Sequence, residues 1–336
     1  MASLHLAALL SAVAFAASGG GGAVPDGDIR YRVEIAGEAA GWARLAVRCA
    51  RDACDVVWES ALAAPEPGRG VAVRHRVNAR TNLDGRALSI EVASRDDGRA
   101  HARQGAVGAI PASLAEALLG GAAEGERRCL AVQDEESGRA GEACARREGA
   151  WLVGTVLGER VRFRAAQGAL PSEVVLPDQR TRFLADAAAS LPARAPRLFG
   201  AEIAGPPAGT APARFCGRAP DKAAPAGALA GLALSAVFPP GASCRERTAG
   251  YLALARRAGI GGRTAVGVAH DGRGFVWHAW AELWDGARWV PVDPSFEEAP
   301  ARGPRFTVAR YDDEDPAARA DAGRAVLACW GRGRVE

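Results

Sequence analysis

Phe275-Val-Trp-His-Ala-Trp-Ala-Glu-Leu-Trp-Asp-Gly-Ala-Arg-Trp-Val-Pro-Val-Asp293 reads as two strands joined by a turn. Aromatic and β-branched residues suit a pleated surface, and Asp285-Gly286 is a strong short hairpin signal. Alternation puts Val276, His278, Trp280 and Glu282 on one face, and Phe275, Trp277, Ala279, Ala281 and Leu283 on the other. If Asp285-Gly286 is a two-residue loop, Trp284 opposes Ala287. The same register sets His278 opposite Asp293, with Cβ atoms about 5 Å apart. A carboxylate in that place fixes the tautomer of an imidazole and stabilises its cation, leaving the other ring nitrogen for a nucleophile.

Upstream, Arg263-Thr-Ala-Val-Gly-Val-Ala supplies a third strand. Before it, Gly241-Ala-Ser-Cys-Arg-Glu-Arg-Thr-Ala-Gly-Tyr-Leu-Ala-Leu-Ala-Arg-Arg-Ala-Gly-Ile follows Pro239-Pro240 and reads as a turn entering a helix. Ser243 and Glu246 form an S-x-x-E capping box, and Gly259 closes the element. Cys244 therefore falls in the first helical turn. There, free N–H groups and the positive end of the helix dipole favour a thiolate and can hold a developing oxyanion. By position alone a free cysteine is a small apolar residue at a buried helix start. The histidine–aspartate hairpin that follows turns the reading toward a nucleophile.

These three blocks, Cys244 opening a helix, His278-Ala-Trp-Ala-Glu, and Trp289-Val-Pro-Val-Asp293-Pro-Ser, resemble the signatures of the transglutaminase-like superfamily in order and spacing, over about residues 225–300. The resemblance implies a papain-like α+β domain in which a helix bearing the cysteine packs on an antiparallel sheet bearing the histidine and aspartate. It also implies a catalytic triad of Cys244, His278 and Asp293, acting by acyl transfer or by peptide or amide hydrolysis through a thioester. The cysteine follows Gly-Ala-Ser here, where the family commonly has Gly-Asp. Candidate substrate-binding residues are Trp277, Trp280 and Ser243, although strand tryptophans are more often core or cross-strand pairs. Glu282 reads as a solvated or paired strand carboxylate. No cofactor is called for. The partner expected is a protein or peptide bearing a glutamine or another amide donor.

Two other classes compete. A binding or assembly module of the cell envelope would keep the fold without turnover, yet need not keep all three residues. A papain-type protease would use asparagine as third member and carry a glutamine shortly before the cysteine, which Pro239-Pro240-Gly241 lacks.

The rest of the chain sets the context. With 336 residues there is room for two domains. A net charge of +3, and no basic stripe interleaved with aromatics, speak against nucleic acid. Lys222 is the single lysine, so the chain is a poor cross-linking substrate for itself. Residues 1–18 have the length and apolarity of a signal peptide without its charged start, an uncleaved anchor being the alternative. Export to the periplasm or medium follows from the first reading. From 25 to 180 short alternating runs (Tyr31–Ile35, Ala43–Arg48, Val71–Val77, Leu88–Val92, Ala150–Val153, Arg160–Ala165) predict an antiparallel β-rich domain, with one helical stretch at Ala112–Leu119. His75 and His101 read as strand-surface residues. Residues 181–224 read as a Pro/Ala-rich linker and 225–336 as the transglutaminase-like domain. The class is thus α+β. Seven cysteines leave one over. One pairing that fits an exported chain joins Cys49 to Cys54, Cys129 to Cys144 and Cys216 to Cys329, with Cys244 left free, though spacing alone does not fix connectivity. No Cys-x-x-Cys or histidine spacing supports zinc, and Asp312-Asp-Glu-Asp315 reads as a solvated turn.

Overall fold

A computed structural model describes residues 24–63, 73–96, 99–104, 107–135, 138–166, 168–193, 214–221, 242–329 and 335. The proposed signal segment and most of the Pro/Ala-rich stretch lie outside these residues. The chain is rich in β-structure with few helices, and it divides into two compact units, Ala2–Pro196 and Arg197–Glu336.

Among its described residues the first unit has one antiparallel sheet of twelve strands. In chain order these are β1 (Gly27–Ile35), β2 (Glu38–Cys49), β3 (Ala53–Leu62), β4 (Val73–Asn82), β5 (Ala87–Asp96), β6 (Arg99–Gln104), β7 (Arg127–Gln133), β8 (Ala140–Glu148), β9 (Trp151–Val156), β10 (Glu159–Arg164), β11 (Glu173–Leu176) and β12 (Thr181–Ala185). Each strand pairs with its sequence neighbour except at the middle, where β1 takes β12 as its second partner, and at the two ends, β6 and β7. A short helix, α1 (Ala115–Leu119), follows a single 3-10 turn. Rings of Tyr31, Trp58 and Phe183 meet at 6.1–6.3 Å in the core.

Two expectations are corrected here. Thr181–Ala185 is not linker: it is β12, which pairs with both β1 and β11 and so holds the two halves of the sheet together. Its run Thr-Arg-Phe-Leu-Ala is too short to stand out locally, and its strand state comes from two flanking partners. His75 is not a surface residue; it is buried beside Ser60 of β3, and burial pushes its imidazole down to about 4. Nothing about the His101 side chain falls within the described residues.

The second unit has a four-stranded antiparallel sheet in the order β15-β14-β13-β16, with β13 at Gly262–His270, β14 at Phe275–Trp284, β15 at Trp289–Val292 and β16 at Arg305–Tyr311. Helix α2 (Cys244–Arg257) packs on β14 and β13, and α3 (Pro316–Cys329) packs on β16 and β13. Both lie on the Phe275–Trp277–Ala281 face. Tyr251, Leu252 and Ala255 of α2 bury against Ala281, Leu283 and Val292. Ala322 and Val326 of α3 bury against Val266, Val268, Trp277 and Phe306. The opposite face carries His278, Trp280 and Glu282.

All three disulfides are formed as the pairing above supposes. Cys49 and Cys54 oppose each other across β2 and β3, and Cys129 and Cys144 across β7 and β8, each with Cα atoms 4.0 Å apart. Cys216 joins Cys329 at the end of α3, across 113 residues. Cys244 is the free thiol. Among the described residues no helix is long and apolar enough to cross a membrane.

Candidate active site

The site begins with a helix cap. Ser243 has extended backbone, its Oγ accepts the Glu246 N–H at 3.2 Å, and its own N–H donates to Glu246 Oε2 at 2.7 Å. This completes the expected capping box and fixes Cys244 as the first helical residue. The Thr248 hydroxyl, one turn on, shares its proton between Cys244 O (2.8 Å) and Ala279 O (3.2 Å), tying the helix start to β14.

The thiol meets the sheet at an edge. β15 pairs with β14 only from Ala281 to Trp284, so among the described residues no strand lies beside the outer side of β14 at Ala279 and His278. There Cys244, half-buried, is hydrogen-bonded to the His278 side chain and to the Ala279 backbone. His278 Nε2 lies 2.8 Å from Asp293 Oδ2, both groups being buried. With Nε2 turned to the carboxylate, Nδ1 is the nitrogen left for the thiol. The structure thus brings Cys244, His278 and Asp293 together.

The register behind that contact differs from the one read in the sequence. Asp285–Arg288 is a four-residue loop, closed by Asp285 N–H to Arg288 O at 3.0 Å, so Trp284 opposes Trp289 rather than Ala287. Carried outward, this register sets Asp293 opposite Trp280, a diagonal neighbour of His278. The slip is two residues, which keeps Asp293 on the histidine face; a slip of one would have turned it away. Contact is then made by a tight loop. Asp293 exchanges both backbone hydrogen bonds with Glu298, and its Oδ1 accepts the N–H groups of Ser295 (3.0 Å) and Phe296 (3.1 Å).

Charges follow the geometry. Burial acts against a charged imidazole, but the hydrogen bonds it donates to Asp293 and Cys244 outweigh it and raise His278 to about 9. Burial likewise opposes the thiolate, yet the hydrogen bond and charge of His278 hold the Cys244 thiol below its ordinary range. Asp293 is lowered against the effect of burial by His278 and then by Arg305. Both shifts favour a thiolate–imidazolium pair, backed by the Asp293 carboxylate, over the neutral pair.

The three candidate substrate contacts have other places. Trp277 lies on the far side of the sheet from His278, buried against Phe215 at 5.6 Å between ring centroids. Trp280 is fully buried, its ring nearly parallel to the imidazole at 6.4 Å, so it is a wall behind His278. The Ser243 hydroxyl is committed to the cap. Glu282 is buried and paired with Arg263 and Arg310. Sequence reasoning missed Phe296, which stacks on His278 at 4.2 Å and 6°, and Arg305, a buried guanidinium whose Nη2 donates to Asp293 Oδ2 at 2.9 Å. Phe296 follows Asp293 by three positions and stands next to the aspartate block, a proximity signal. Arg305 lies on another strand with no local pattern to mark it.

Among the described residues no group of three or more His, Cys, Asp or Glu side chains has the arrangement of a metal site. Residues 221–294 match the model of the transglutaminase-like superfamily, the family that the three sequence blocks resemble. No curated protein and no solved structure matches the chain.

Proposed function

We propose that the second unit is a papain-like transglutaminase-core domain that performs cysteine-dependent acyl transfer or amide hydrolysis. The observation that carries this reading is the continuous hydrogen-bonded run from Cys244 through His278 to Asp293, with the thiol lowered and the imidazole raised. In the first half-reaction the Cys244 thiolate attacks a carboxamide carbon and forms a C–S bond. The N–H of Cys244, at a helix start where the first amides lack intrahelical partners, is placed to hold the oxyanion. The imidazolium gives its proton to the departing amine as the C–N bond breaks, leaving a thioester and neutral imidazole. In the second, water or an amine attacks the thioester while His278 takes its proton. Cys244 leaves as thiolate and the ion pair is restored.

Export of the chain is part of the same reading. Three disulfides suit an oxidising compartment, and residues 1–18 serve as the signal segment. Substrates are then exported proteins or cell-wall peptides, with the first unit covering, positioning or anchoring them. The test is a screen of glutamine-bearing proteins and amide-containing peptides with wild type and Cys244→Ala, following ammonia or amine release. Release that needs Cys244 supports the reading. Equal release by both proteins from every donor removes it in favour of a binding module.

A further inference from the structure

Asp293 is held by more than the backbone of its own loop. Arg305 enters from β16, two strands away from His278, and lies on the same face. Its β13 partner is Ala269, and the residue of β13 opposite His278 is Gly267. The intervening strand therefore carries only small residues, Gly267 and Ala269, at the positions between His278 and Arg305. At Gly267 a Cβ would lie 2.0 Å from Phe306 O, so glycine there is required by the close approach of the β16 backbone at the register shift between Val266 and Gly267. Arg305 is 3% exposed. Its Nη2 donates to Asp293 Oδ2 and to Glu298 Oε2, each at 2.9 Å, and its Nη1 donates to Gly303 O at 2.8 Å. The same Asp293 Oδ2 takes His278 Nε2. One carboxylate oxygen is therefore shared between the base and a permanent cation, and that cation is shared with a second carboxylate nearer solvent.

We propose that Arg305 is a positioning residue of the triad: it pins Asp293 as an anion aimed at His278, while its charge, offset by Glu298, limits how tightly the imidazole keeps its proton. A lone buried carboxylate would hold the imidazolium too firmly for release to a leaving amine; a carboxylate half-neutralised by a guanidinium holds it less. Both Arg305 and Glu298 lie beyond the 221–294 segment that matches the family. Among the described residues the charged groups nearest the pair are Cys244 from α2, Asp293 and Glu298 from the loop, and Arg305 from β16, while Asp221, whose N–H donates to Arg305 O, is occupied by Thr307 and Arg310. Farther along the same face, Glu282 is occupied by Arg263 and Arg310. The proposal rests on the acyl-transfer reading, because only a working base needs its proton affinity tuned.

The test uses two readouts that need no substrate: the pH dependence of iodoacetamide alkylation of Cys244, and the titration of the His278 ring protons by NMR, with five histidines in the chain to assign. Arg305→Met removes a positive charge one carboxylate away from the imidazole. Both the thiol limb and the imidazolium limb are then expected to move upward, by on the order of one pH unit after the offset from Glu298. Arg305→Lys returns both limbs toward wild type, which a purely steric role would not require. Glu298→Gln, a change at a partly exposed side chain, moves both limbs downward by a smaller amount and decides the matter if Arg305→Met fails to fold. Limbs that stay in place in Arg305→Met and Glu298→Gln, or that move in opposite directions, overturn the proposal. A wild-type thiol that reacts like a free cysteine overturns the acyl-transfer reading instead, so the two failures are told apart.

Discussion

His278 is buried, yet its hydrogen bonds with Asp293 and Cys244 favour its charged form. Its raised value, about 9 against an ordinary 6.5, means that the folded state binds a proton which the unfolded chain loses between those values. Its contribution to stability is accordingly complete below about pH 6.5 and is lost as pH rises through about 9. Turnover of an amide donor is expected to fall along an alkaline limb near that same value, because the leaving amine then finds no imidazolium; rate profiles from pH 6 to 10 check this. Asp293→Asn keeps the loop but removes the anion. It is expected to lower turnover by about 10³-fold or more and to shift the alkaline limb downward. A rate unaffected by Asp293→Asn would mean that the carboxylate plays no part in the reaction. The stacked Phe296 ring excludes water from one side of the imidazole, so the hydrogen bonds around it act in a low-dielectric setting.

At the scale of elements, a short strand makes the site possible. Because β15 stops at Val292, β14 presents an open edge at His278, where the capped start of α2 delivers the thiol. Ser243→Ala removes the acceptor for the Glu246 N–H and is expected to cost about 1 kcal/mol in denaturant unfolding. It should also slow Cys244 alkylation, since a frayed first turn no longer aims the sulfur. Gly267 plays the opposite part, as a position where any side chain is too much. Gly267→Ala drives a methyl into the Phe306 carbonyl and is expected to cost about 1–3 kcal/mol, with a loss of turnover larger than that stability change implies. A variant with native turnover would show that β16 shifts without disturbing Arg305.

Across the whole molecule, covalent links and buried acids set the limits of stability. The Cys216–Cys329 bond closes 113 residues, a loop worth about 4–5 kcal/mol in the chain-entropy account. The double variant Cys216→Ser, Cys329→Ser is expected to lower the urea midpoint of the second unit by a corresponding amount. In the first unit, burial raises Glu116 and Glu135 to about 8 each. The folded state holds protons there that an unfolded carboxyl has lost above about pH 4.5. Stability of that unit should therefore fall as pH rises from about 4.5 to 8 and level off above. Glu116→Gln is expected to flatten this slope and to raise stability at pH 8, measured by denaturant titration at several pH values; an unchanged slope would place the ionisation elsewhere.

By itself the sequence determined the capped helix carrying Cys244, the alternating strand with His278, the turn before Asp293, and the face on which both polar residues lie. Each is local chemistry: a cap needs Ser and Glu three apart, and a face needs only parity. Parity is also why the His278–Asp293 contact survived a wrong register. The β-rich character of the first unit was legible where runs alternate, but not in β8, whose Ala-Gly-Glu-Ala-Cys-Ala-Arg-Arg-Glu has weak strand preference and is set by pairing with β7 and β9. Tertiary structure alone decided that Trp277 belongs to the core and Trp280 backs the histidine, because alternation names two faces without saying which one the helices cover. It alone also brought Arg305 and Glu298 to Asp293. Their meeting depends on β16 lying two strands from β14 with Arg305 on the histidine face, a proximity in space that no periodicity along the chain records.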